Sequence, residues 1–454
     1  MIQKIDSVRK QPYTATSNAC RLCAPLGASM AFKGIAGAIP LLHGSQGCST
    51  YIRRYLISHF REPIDIASSS FSEETTIFGG GENLRIAISN LITQYRPRII
   101  GIATTCLAET IGEDVNLHLK SMGPLPEPVP YIVHVSTPSY QGSHIDGFRR
   151  TVRALLDRFA LHTEKRNWIT LLPGMVSPAD LRLLRDLCAD YSIDCTIVPD
   201  YAETLDGGIW DDYQTIPSGG TVVEELIATG SSTASIEMGV PTADDSSAGV
   251  LLEQKCGVPS YRIPLPIGLE ATDELLAIFG EITGKQLPAR HAVARGRLID
   301  AYVDGHKFVS GKRAAIFGDE DMTVALARFA MEIGMNVTAV MSGADKRTIA
   351  DALRKFLPGD GCDCTILGDA DFEDLREHLL VNKPDLLIGS SKGYHLARAL
   401  SIPLVRAGFP VQDRIGAQRM LHLGYDGAQQ LFDRIVNTLI AQRQAEGDIG
   451  YMTW

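Results

Sequence analysis

Short apolar segments alternate with amphipathic, helix-like segments along most of this 454-residue sequence. The clearest apolar segments end in turns rich in small and polar residues, and a helical pattern follows each; they cover residues 98–103, 168–174, 313–319 and 385–389. Repeated strand–turn–helix units favour parallel sheets covered by helices. Because ligands of such sheets bind at the carboxyl ends of the strands, we expect the functional residues in these turns.

The length of the chain exceeds what a single hydrophobic core accommodates, so several domains are expected. Divisions between successive strand–helix blocks fall near residues 160 and 300. We therefore predict three α/β domains over residues 1–160, 161–300 and 301–454, with the first carrying the most informative cysteines.

Charge and composition exclude several classes of partner. The formal net charge is −10, which argues against nucleic acid or an anionic membrane as a partner. No uncharged apolar run approaches the roughly 20 residues of a membrane span, and the first residues lack the apolar core of a secretory signal. With nine cysteines and no export signal, the expectation is a reduced, cytoplasmic protein.

Three cysteines, Cys23, Cys48 and Cys106, lie in segments rich in glycine and other small residues. Thiolates are soft ligands, so such a set indicates iron–sulfur or zinc chemistry. Three thiolates are fewer than such a site usually needs, which points to further ligands from a partner chain. Three buried structural cysteines are the alternative interpretation.

The surroundings of these cysteines suit a cluster. Nearby glycines are expected to permit tight turns without a Cβ clash; they are Gly27, Gly44 and Gly47. Cys48 and Cys106 are each predicted near a helix N-terminus, which lowers the pKa of a thiol and favours metal ligation.

Longer strings around the cysteines carry a family resemblance. They are Pro-Leu-Gly-Ala at 25–28, His-Gly-Ser-Gln-Gly-Cys at 43–48, His-Phe-Arg-Glu at 59–62, Phe-Gly-Gly at 78–80 and Thr-Thr-Cys-Leu-Ala-Glu-Thr-Ile-Gly-Glu-Asp at 104–114. With the cysteine spacing, they resemble the β-type subunit of nitrogenase component 1. Further matches, such as Thr-Pro-Ser at 137–139 and Gly-Tyr-Asp-Gly at 424–427, extend the resemblance over nearly the whole chain.

The resemblance implies the ligand set and the fold. In this family, homologous α and β subunits each give three cysteines to an [8Fe–7S] P-cluster at their interface. Cys23, Cys48 and Cys106 would be the β half of that set, and three Rossmann-like parallel-sheet domains would surround the interfacial iron–sulfur cluster site. The resemblance also implies a catalytic iron–sulfur cofactor in the α-type partner, so no catalytic residue is expected in this chain.

Four other residues take roles from the same resemblance. Ser139 matches a serine that adds an oxygen ligand when the cluster is oxidised, although a simple turn serine fits the sequence as well. Ser45 would donate a hydrogen bond to the cluster, and Tyr51 would lie on the side facing the catalytic cofactor. Phe78 matches an exposed aromatic residue where an ATP-dependent iron–sulfur reductase, similar to the Fe protein, docks; a buried core aromatic is the alternative.

A second metal site is suggested by two acidic residues. Asp300 and Asp304 are spaced i, i+4, so both carboxylates share one face of a helix, and hard oxygen ligands suit a divalent cation. In the family, matching aspartates meet a glutamate equivalent to Glu62 across the β–β contact of an α₂β₂ heterotetramer, around a mononuclear metal. A solvated acidic helix face is the alternative.

The implied function is electron relay from the reductase through the P-cluster to the cofactor of the α-type partner. Cys23 lies close to the start of the sequence, without the long extension of the molybdenum nitrogenase β subunit, and residues 206–221 resemble the scaffold branch of the family. Together these features favour a nitrogenase-like methylthio-alkane reductase, which cleaves C–S bonds. The alternatives are a dinitrogen-reducing nitrogenase β chain and a β-like scaffold subunit for nitrogenase cofactor assembly, which usually lacks the full cysteine triad.

Overall fold

Three parallel β-sheets, each flanked by helices, make up the structure, a computed structural model that describes residues 20–162, 164, 167–240, 243–354, 356 and 364–447. The predicted α/β class with three parallel-sheet domains is confirmed. The predicted domain boundaries stay a prediction, and the one near 300 falls within a single helix, Ala289–Val309.

The first sheet has the strand order β2-β1-β3-β4. Its strands are β1 (Ala38–His43), β2 (Ala67–Ser68), β3 (Ile99–Thr104) and β4 (Tyr131–Val135). Every residue of β1 and β3 is buried, as expected for parallel strands covered on both faces. The accompanying helices are α1 (Ala24–Lys33), α2 (Gln46–Phe60), α3 (Glu73–Phe78), α4 (Gly81–Tyr95), α5 (Cys106–Thr110), α6 (Val115–Ser121) and α7 (His144–Phe159).

The second sheet has the order β6-β5-β7-β8. Its strands are β5 (Trp168–Leu172), β6 (Asp194–Ile197), β7 (Ala234–Met238) and β8 (Ser260–Ile263). The helices of this part are α8 (Pro178–Asp190), α9 (Val223–Ala228), α10 (Ala248–Cys256), α11 (Leu269–Thr283) and α12 (Ala289–Val309). Helix α8 begins with a capping box, in which Ser177 Oγ accepts the N–H of Asp180 and the Asp180 carboxylate accepts the N–H of Ser177.

The third sheet has the order β11-β10-β9-β12-β13. Its strands are β9 (Arg313–Gly318), β10 (Asn336–Ser342), β11 (Thr365–Leu367), β12 (Leu386–Gly389) and β13 (Leu404–Arg406). The helices are α13 (Glu320–Glu332), α14 (Lys346–Arg354), α15 (Phe372–Val381), α16 (Tyr394–Leu400) and α17 (Gly424–Glu446). Helix α17 packs along α12, where Gly305 lies directly against Phe432, so the end of the described chain is tied to the helix that follows the second sheet.

Helices α1 and α7 cross at very close range and thereby fix the start of α1. A Cβ on Gly27 would lie 1.7 Å from the backbone oxygen of His144, and one on Gly147 would lie 1.9 Å from that of Ala24. The expectation that Gly27 permits a tight turn is therefore wrong, since Gly27 lies inside α1 and its missing side chain serves helix packing.

Buried ionic contacts join the three sheets. Arg149 on α7 donates from Nη2 to Asp321 Oδ1 at 2.5 Å and to the backbone oxygen of Val240 at 3.2 Å. Asp180, fully buried on α8, accepts the backbone N–H groups of His422 at 2.7 Å and Leu423 at 2.9 Å. Within the described residues, none of the helices is both long enough and apolar enough to cross a membrane.

Candidate metal-cluster site

The three predicted cysteine ligands stand at the starts of three helices of the first domain. Cys23 is the N-cap residue of α1, Cys48 lies in the first turn of α2, and Cys106 is the first residue of α5. Strands β1 and β3 are neighbours and end in register, with His43 beside Thr104. Because Cys48 and Cys106 follow these two strands, their turns lie side by side at the carboxyl edge of the sheet. The predicted helix N-termini at both cysteines are confirmed.

The approach of these two turns depends on Gly44. Its φ is +151°, and a Cβ there would lie 1.9 Å from Thr105 Oγ1. The N–H of Thr105, the residue before Cys106, donates to the backbone oxygen of His43 at 3.0 Å. Gly47, in contrast, lies inside α2, where the nearest heavy atom to an added Cβ would be Ser45 Oγ at 3.8 Å, so the expectation of a tight turn there is wrong.

The three thiols are half-buried and close enough to influence one another. Burial raises the pKa of Cys23 to about 11, despite the N–H of Leu26, and Cys48 and Cys106 raise it further. Burial and then Cys106 also raise the pKa of Cys48. The prediction that the pKa of Cys48 is lowered is therefore wrong for the chain alone, because burial and the neighbouring thiol of Cys106 raise it. Such thiols need a positive partner to ionise.

Ser139 lies beside the third thiol. It begins a short 3₁₀ turn, Ser139–Gln141, and its backbone N–H donates to Cys106 Sγ at 3.2 Å. The turn is held in place because Thr137 donates two hydrogen bonds to Thr104, from its Oγ1 to the backbone oxygen at 2.7 Å and from its N–H to Oγ1 at 3.0 Å. A ligand role for the Ser139 hydroxyl stays a prediction, but its backbone already contacts a proposed ligand.

Ser45 and Tyr51 lie on α2 on either side of Cys48. Ser45 is the N-cap residue, and its hydroxyl makes no capping hydrogen bond to the helix, so it is available to an outside acceptor. Tyr51 is 57% exposed, and its ring centroid lies 5.0 Å from that of Tyr55. Lys392, which follows β12, sits over the Tyr55 ring at 4.5 Å. The contacts of Tyr55 with Tyr51 and with Lys392 thus connect α2 with the third sheet.

Phe78 is among the most exposed apolar residues of the described chain. It ends α3 with 82% of its surface accessible, and the preceding Ile77 has 74% accessible. The alternative of a buried core aromatic is therefore wrong. The helix is short but well fixed at its start, because Ser72 and Thr75 form a capping box.

Sequence reasoning missed the residue that joins these features, Glu113. Its carboxylate contacts His43, His118 and the backbone N–H of Gly80. The only signal in the sequence was its place in the string that follows Cys106.

The residues of the predicted second metal site fall in two places. Asp300 and Asp304 are exposed on one face of α12 and line a cavity of about 430 Å³ together with Asp433. Glu62 lies elsewhere, beside the turn at Asp206 and Gly207, where burial and then Asp206 raise its pKa. One chain therefore does not bring Glu62 to the two aspartates, and the site stays a prediction that needs a second copy.

The described part of the chain contains no group of three or more histidine, cysteine or acidic residues arranged to enclose a metal ion. The cysteine triad is therefore not a closed metal site of this chain's own, and its thiols lie on a half-exposed face with Tyr51 nearby.

Comparison with known proteins shows which family this sequence matches. The description "Nitrogenase component 1 type Oxidoreductase" matches residues 23–440, from the first proposed ligand to the last helix. The chain belongs to the nitrogenase component 1 family. It is accordingly a subunit of an oxidoreductase complex, and the resemblance inferred from the sequence is confirmed at the level of the family and its β chains.

Several relatives of the nitrogenase component 1 family are similar over nearly the full length. The nitrogenase molybdenum-iron protein beta chain of Clostridium pasteurianum is 36% identical over 434 residues, which cover 94% of each chain. The nitrogenase iron-molybdenum cofactor biosynthesis protein NifN of Bradyrhizobium diazoefficiens is 33% identical over 444 residues, which cover 95% of this chain and 92% of that one. Both a nitrogenase beta chain and a cofactor biosynthesis protein are thus among the relatives.

Solved structures agree with this assignment. A chain of nitrogenase Cp1 at pH 6.5 has a TM-score of 0.94 and 35% sequence identity, and the match covers 99% of this chain and 98% of that one. A chain of nitrogenase Cp1 at pH 5 has a TM-score of 0.67 at 15% identity, a likeness of fold alone.

Proposed function

We propose that this chain is the β-type subunit of a nitrogenase-like reductase and holds half of a P-cluster. In the proposed α₂β₂ heterotetramer, Cys23, Cys48 and Cys106 share an [8Fe–7S] cluster with three cysteines of a homologous α-type subunit. The observation that carries the proposal is that three half-buried thiols stand at three helix N-termini, near enough for Cys48 and Cys106 to raise the pKa of Cys23. Within the described residues they are not arranged to hold a metal ion on their own.

The donor set fits such a group chemically. Burial raises the pKa values of Cys23 and Cys48, so their thiolates require the positive charge of iron, which binds thiolate strongly. The N–H of Ser139 already points at Cys106 Sγ, and hydrogen bonds to cluster sulfurs tune their charge. When bound, the cluster would store electrons and pass them on. The residues of this chain orient it, supply N–H and hydroxyl donors such as Ser45, and exclude water.

The partners follow from the proposed role. An ATP-dependent iron–sulfur reductase would deliver electrons at the surface around Phe78, and the α-type subunit would hold the catalytic iron–sulfur cofactor. Tyr51, exposed beside Cys48, suits a place between the cluster and that cofactor.

The assembly-scaffold role is the second candidate, and the similarity to NifN supports it. The intact cysteine triad favours the electron relay, because a β-like scaffold chain of this family usually lacks it and has a smaller interface cluster. The iron content of the interface separates the two roles.

For the substrate we propose methylthio-alkanes, cleaved reductively at a C–S bond. This choice rests on the scaffold-like stretch over residues 206–221, and the residues that select the substrate would lie mainly in the partner. Supplying the purified complex with either dinitrogen or a methylthio-alkane, and measuring ammonia or methanethiol, decides between the two substrates.

For Asp300 and Asp304 we propose a mononuclear metal at the β–β contact, completed by Glu62 of a second copy. The support is the shared face of α12 and the cavity that both aspartates line. Metal analysis of the tetramer before and after a chelator at its surface checks this site.

The decisive experiment is anaerobic co-purification with the α-type partner, followed by iron analysis and EPR after oxidation. We expect eight irons per interface in the wild type. Cys106→Ala should lower reductase-dependent turnover by about 100-fold or more and reduce the iron bound, while circular dichroism stays unchanged because the thiol is half-exposed. Four irons per wild-type interface would reject the relay in favour of the scaffold, and full turnover in Cys106→Ala would reject the ligand assignment.

A further inference from the structure

The carboxylate of Glu113 lies between the loop after Phe78 and the turns that carry two of the cysteines. Only 4% of its side chain is exposed. Its Oε1 accepts the backbone N–H of Gly80 at 2.6 Å, and its Oε2 contacts His118 Nε2 at 2.8 Å and His43 Nε2 at 3.2 Å. One buried carboxylate thus joins three segments that are distant in sequence.

His43 extends this network to both cysteine turns. Its backbone oxygen accepts the N–H of Thr105, the residue before Cys106, at 3.0 Å. Its Nδ1 lies 3.1 Å from Ser69 Oγ, and the same hydroxyl accepts the N–H of Gly44 at 2.9 Å, at the start of the turn towards Cys48. The side chain of His43 is fully buried, so its ring has little freedom to move independently of these contacts.

The directions of the hydrogen bonds are mutually consistent. Ionised Glu113 accepts from Gly80 and from His43 Nε2–H; His43 Nδ1 then accepts from the Ser69 hydroxyl, whose oxygen accepts from Gly44. This assignment places the His43 proton on Nε2. Burial acts to raise the pKa of Glu113, but the N–H of Gly80 and the two histidines outweigh it and hold that pKa below its usual value.

The glycine run after Phe78 shows how closely this loop is pressed onto the network. A Cβ on Gly80 would lie 2.3 Å from the Phe71 ring and 3.2 Å from His43 Cε1. A Cβ on Gly81 would lie 2.5 Å from the His118 ring, and Gly79 has a φ of +97° with Glu113 Oε1 3.3 Å from its Cβ position. Side chains at these positions would push the loop away from Glu113.

We propose that Glu113 is a positioning residue, which holds the Phe78 loop in fixed register with the turns of Cys48 and Cys106. This inference rests on the proposed function: a reductase that docks on Phe78 would then find the cluster at a constant distance and orientation. Electron transfer depends on such positioning because a small displacement of the reacting centres is costly. Glu113 acts through His43 and Gly80, since its own side chain is buried.

The test compares Glu113→Ala, Glu113→Gln and the control Asp114→Asn in the purified heterotetramer. Asp114 is the exposed neighbour; it caps α6 through the N–H of Leu117 at 2.9 Å and takes no part in the network of His43 and Gly80. For Glu113→Ala we expect about a tenfold rise in the KM for the reductase, with unchanged iron content and turnover within about twofold at saturating reductase. Glu113→Gln should recover part of the KM, because its amide oxygen still accepts from Gly80. Asp114→Asn should match the wild type.

Hydrogen exchange of the same variants tests the physical link without reference to turnover. Glu113→Ala should speed amide exchange in both the Phe78 loop, residues 78–81, and the cysteine turns, residues 43–48 and 105–107, whereas Asp114→Asn should affect only α6. An unchanged KM, faster exchange in one segment alone, or an iron content that falls in proportion to turnover would overturn the inference. Four irons per wild-type interface would instead reject the proposed function. The hydrogen-exchange comparison would still test whether Glu113 links the Phe78 loop to the cysteine turns.

Discussion

The junction between the three domains and the face that carries the cysteines place ionisable groups in opposite surroundings. At the junction, Arg149 is 14% exposed and contacts Asp321, which is 5% exposed, at 2.5 Å; this chain supplies both charges. On the cysteine face, three thiols are half-buried without a counter-charge, and Tyr51 and Phe78 stand exposed nearby. The junction pairs its cation with a carboxylate of the same chain, whereas in the proposed function partner chains complete the cysteine face.

This difference has a physical consequence. A buried charge is tolerated only when it is paired and hydrogen-bonded, and the junction meets that condition through Arg149. On the cysteine face, burial raises the pKa of Cys23 and of Cys48, so these two thiols avoid the problem by staying neutral. We therefore expect changes at the junction to alter folding stability, and changes on the cysteine face to alter assembly and turnover with little effect on folding.

The largest effect is expected at the junction. Arg149→Met keeps most of the side-chain length but leaves Asp321 buried without its cation, so unfolding should become easier by about 3–5 kcal/mol. The midpoint of urea unfolding, followed by circular dichroism, measures this loss. Arg150→Met is the matched control, since Arg150 is the less buried neighbour and donates to the backbone oxygen of Gln141. Equal midpoints for the two variants would contradict the expectation that changes at the junction alter folding stability.

The sequence predicted the sheets well because their signal is local. Parallel strands buried on both faces are continuous apolar runs, and the segment predicted at 98–103 is such a run, found as β3 with the turn of Cys106 after it. The ligand role of the three cysteines stays a prediction, and it too depends on local signal, since each cysteine has a distinctive local string.

The rest depended on contacts between distant residues. Glu113 meets Gly80 and His43 across separations of 33 and 70 residues, so only the folded chain reveals their network. Gly27 was misread because glycine in a close helix crossing and glycine in a turn have the same local sequence. The pKa of Cys48 was predicted in the wrong direction because burial in the folded chain and the thiol of Cys106, 58 residues away in sequence, both raise it.

A smaller effect should appear as a pH dependence of the junction. His144 packs against Phe409 with a centroid distance of 6.1 Å, and burial lowers its pKa from 6.5 to about 4. Between these values the unfolded chain binds the proton and the folded chain does not, so the wild type loses stability through His144 as pH falls from 6.5 to 4. The loss amounts to about 1.4 kcal/mol per pH unit.

His144→Leu isolates this contribution from other groups. Burial raises the pKa of Asp319 to about 7 and that of Glu320 to about 8. These two carboxyls have the opposite effect to His144, because their contribution to the stability of the folded chain falls as pH rises. They are present in both proteins, so they cancel when the two are compared. The stability of His144→Leu relative to the wild type should therefore increase steadily from pH 6.5 to 4 in urea titrations. A constant difference would show that His144 is not buried in its neutral form.

The smallest effect is expected from truncating the exposed Phe78, and it concerns the binding of the reductase. Phe78→Ala removes an aromatic side chain that is 82% exposed, so the free energy of unfolding from urea titration should change by less than about 0.5 kcal/mol. Loss of an apolar anchor at an interface should raise the KM for the reductase about fivefold, equivalent to about 1 kcal/mol.

Ile209→Ala controls for the general loss of an exposed apolar residue, since Ile209 is 99% exposed in the loop between β6 and α9. Its KM and midpoint should both equal those of the wild type. If Phe78→Ala destabilises folding as Arg149→Met does, the cysteine face is not independent of the core, and the contrast between the two regions fails. If both truncations raise the KM equally, docking does not depend on the Phe78 loop, and Glu113 has no docking site to position.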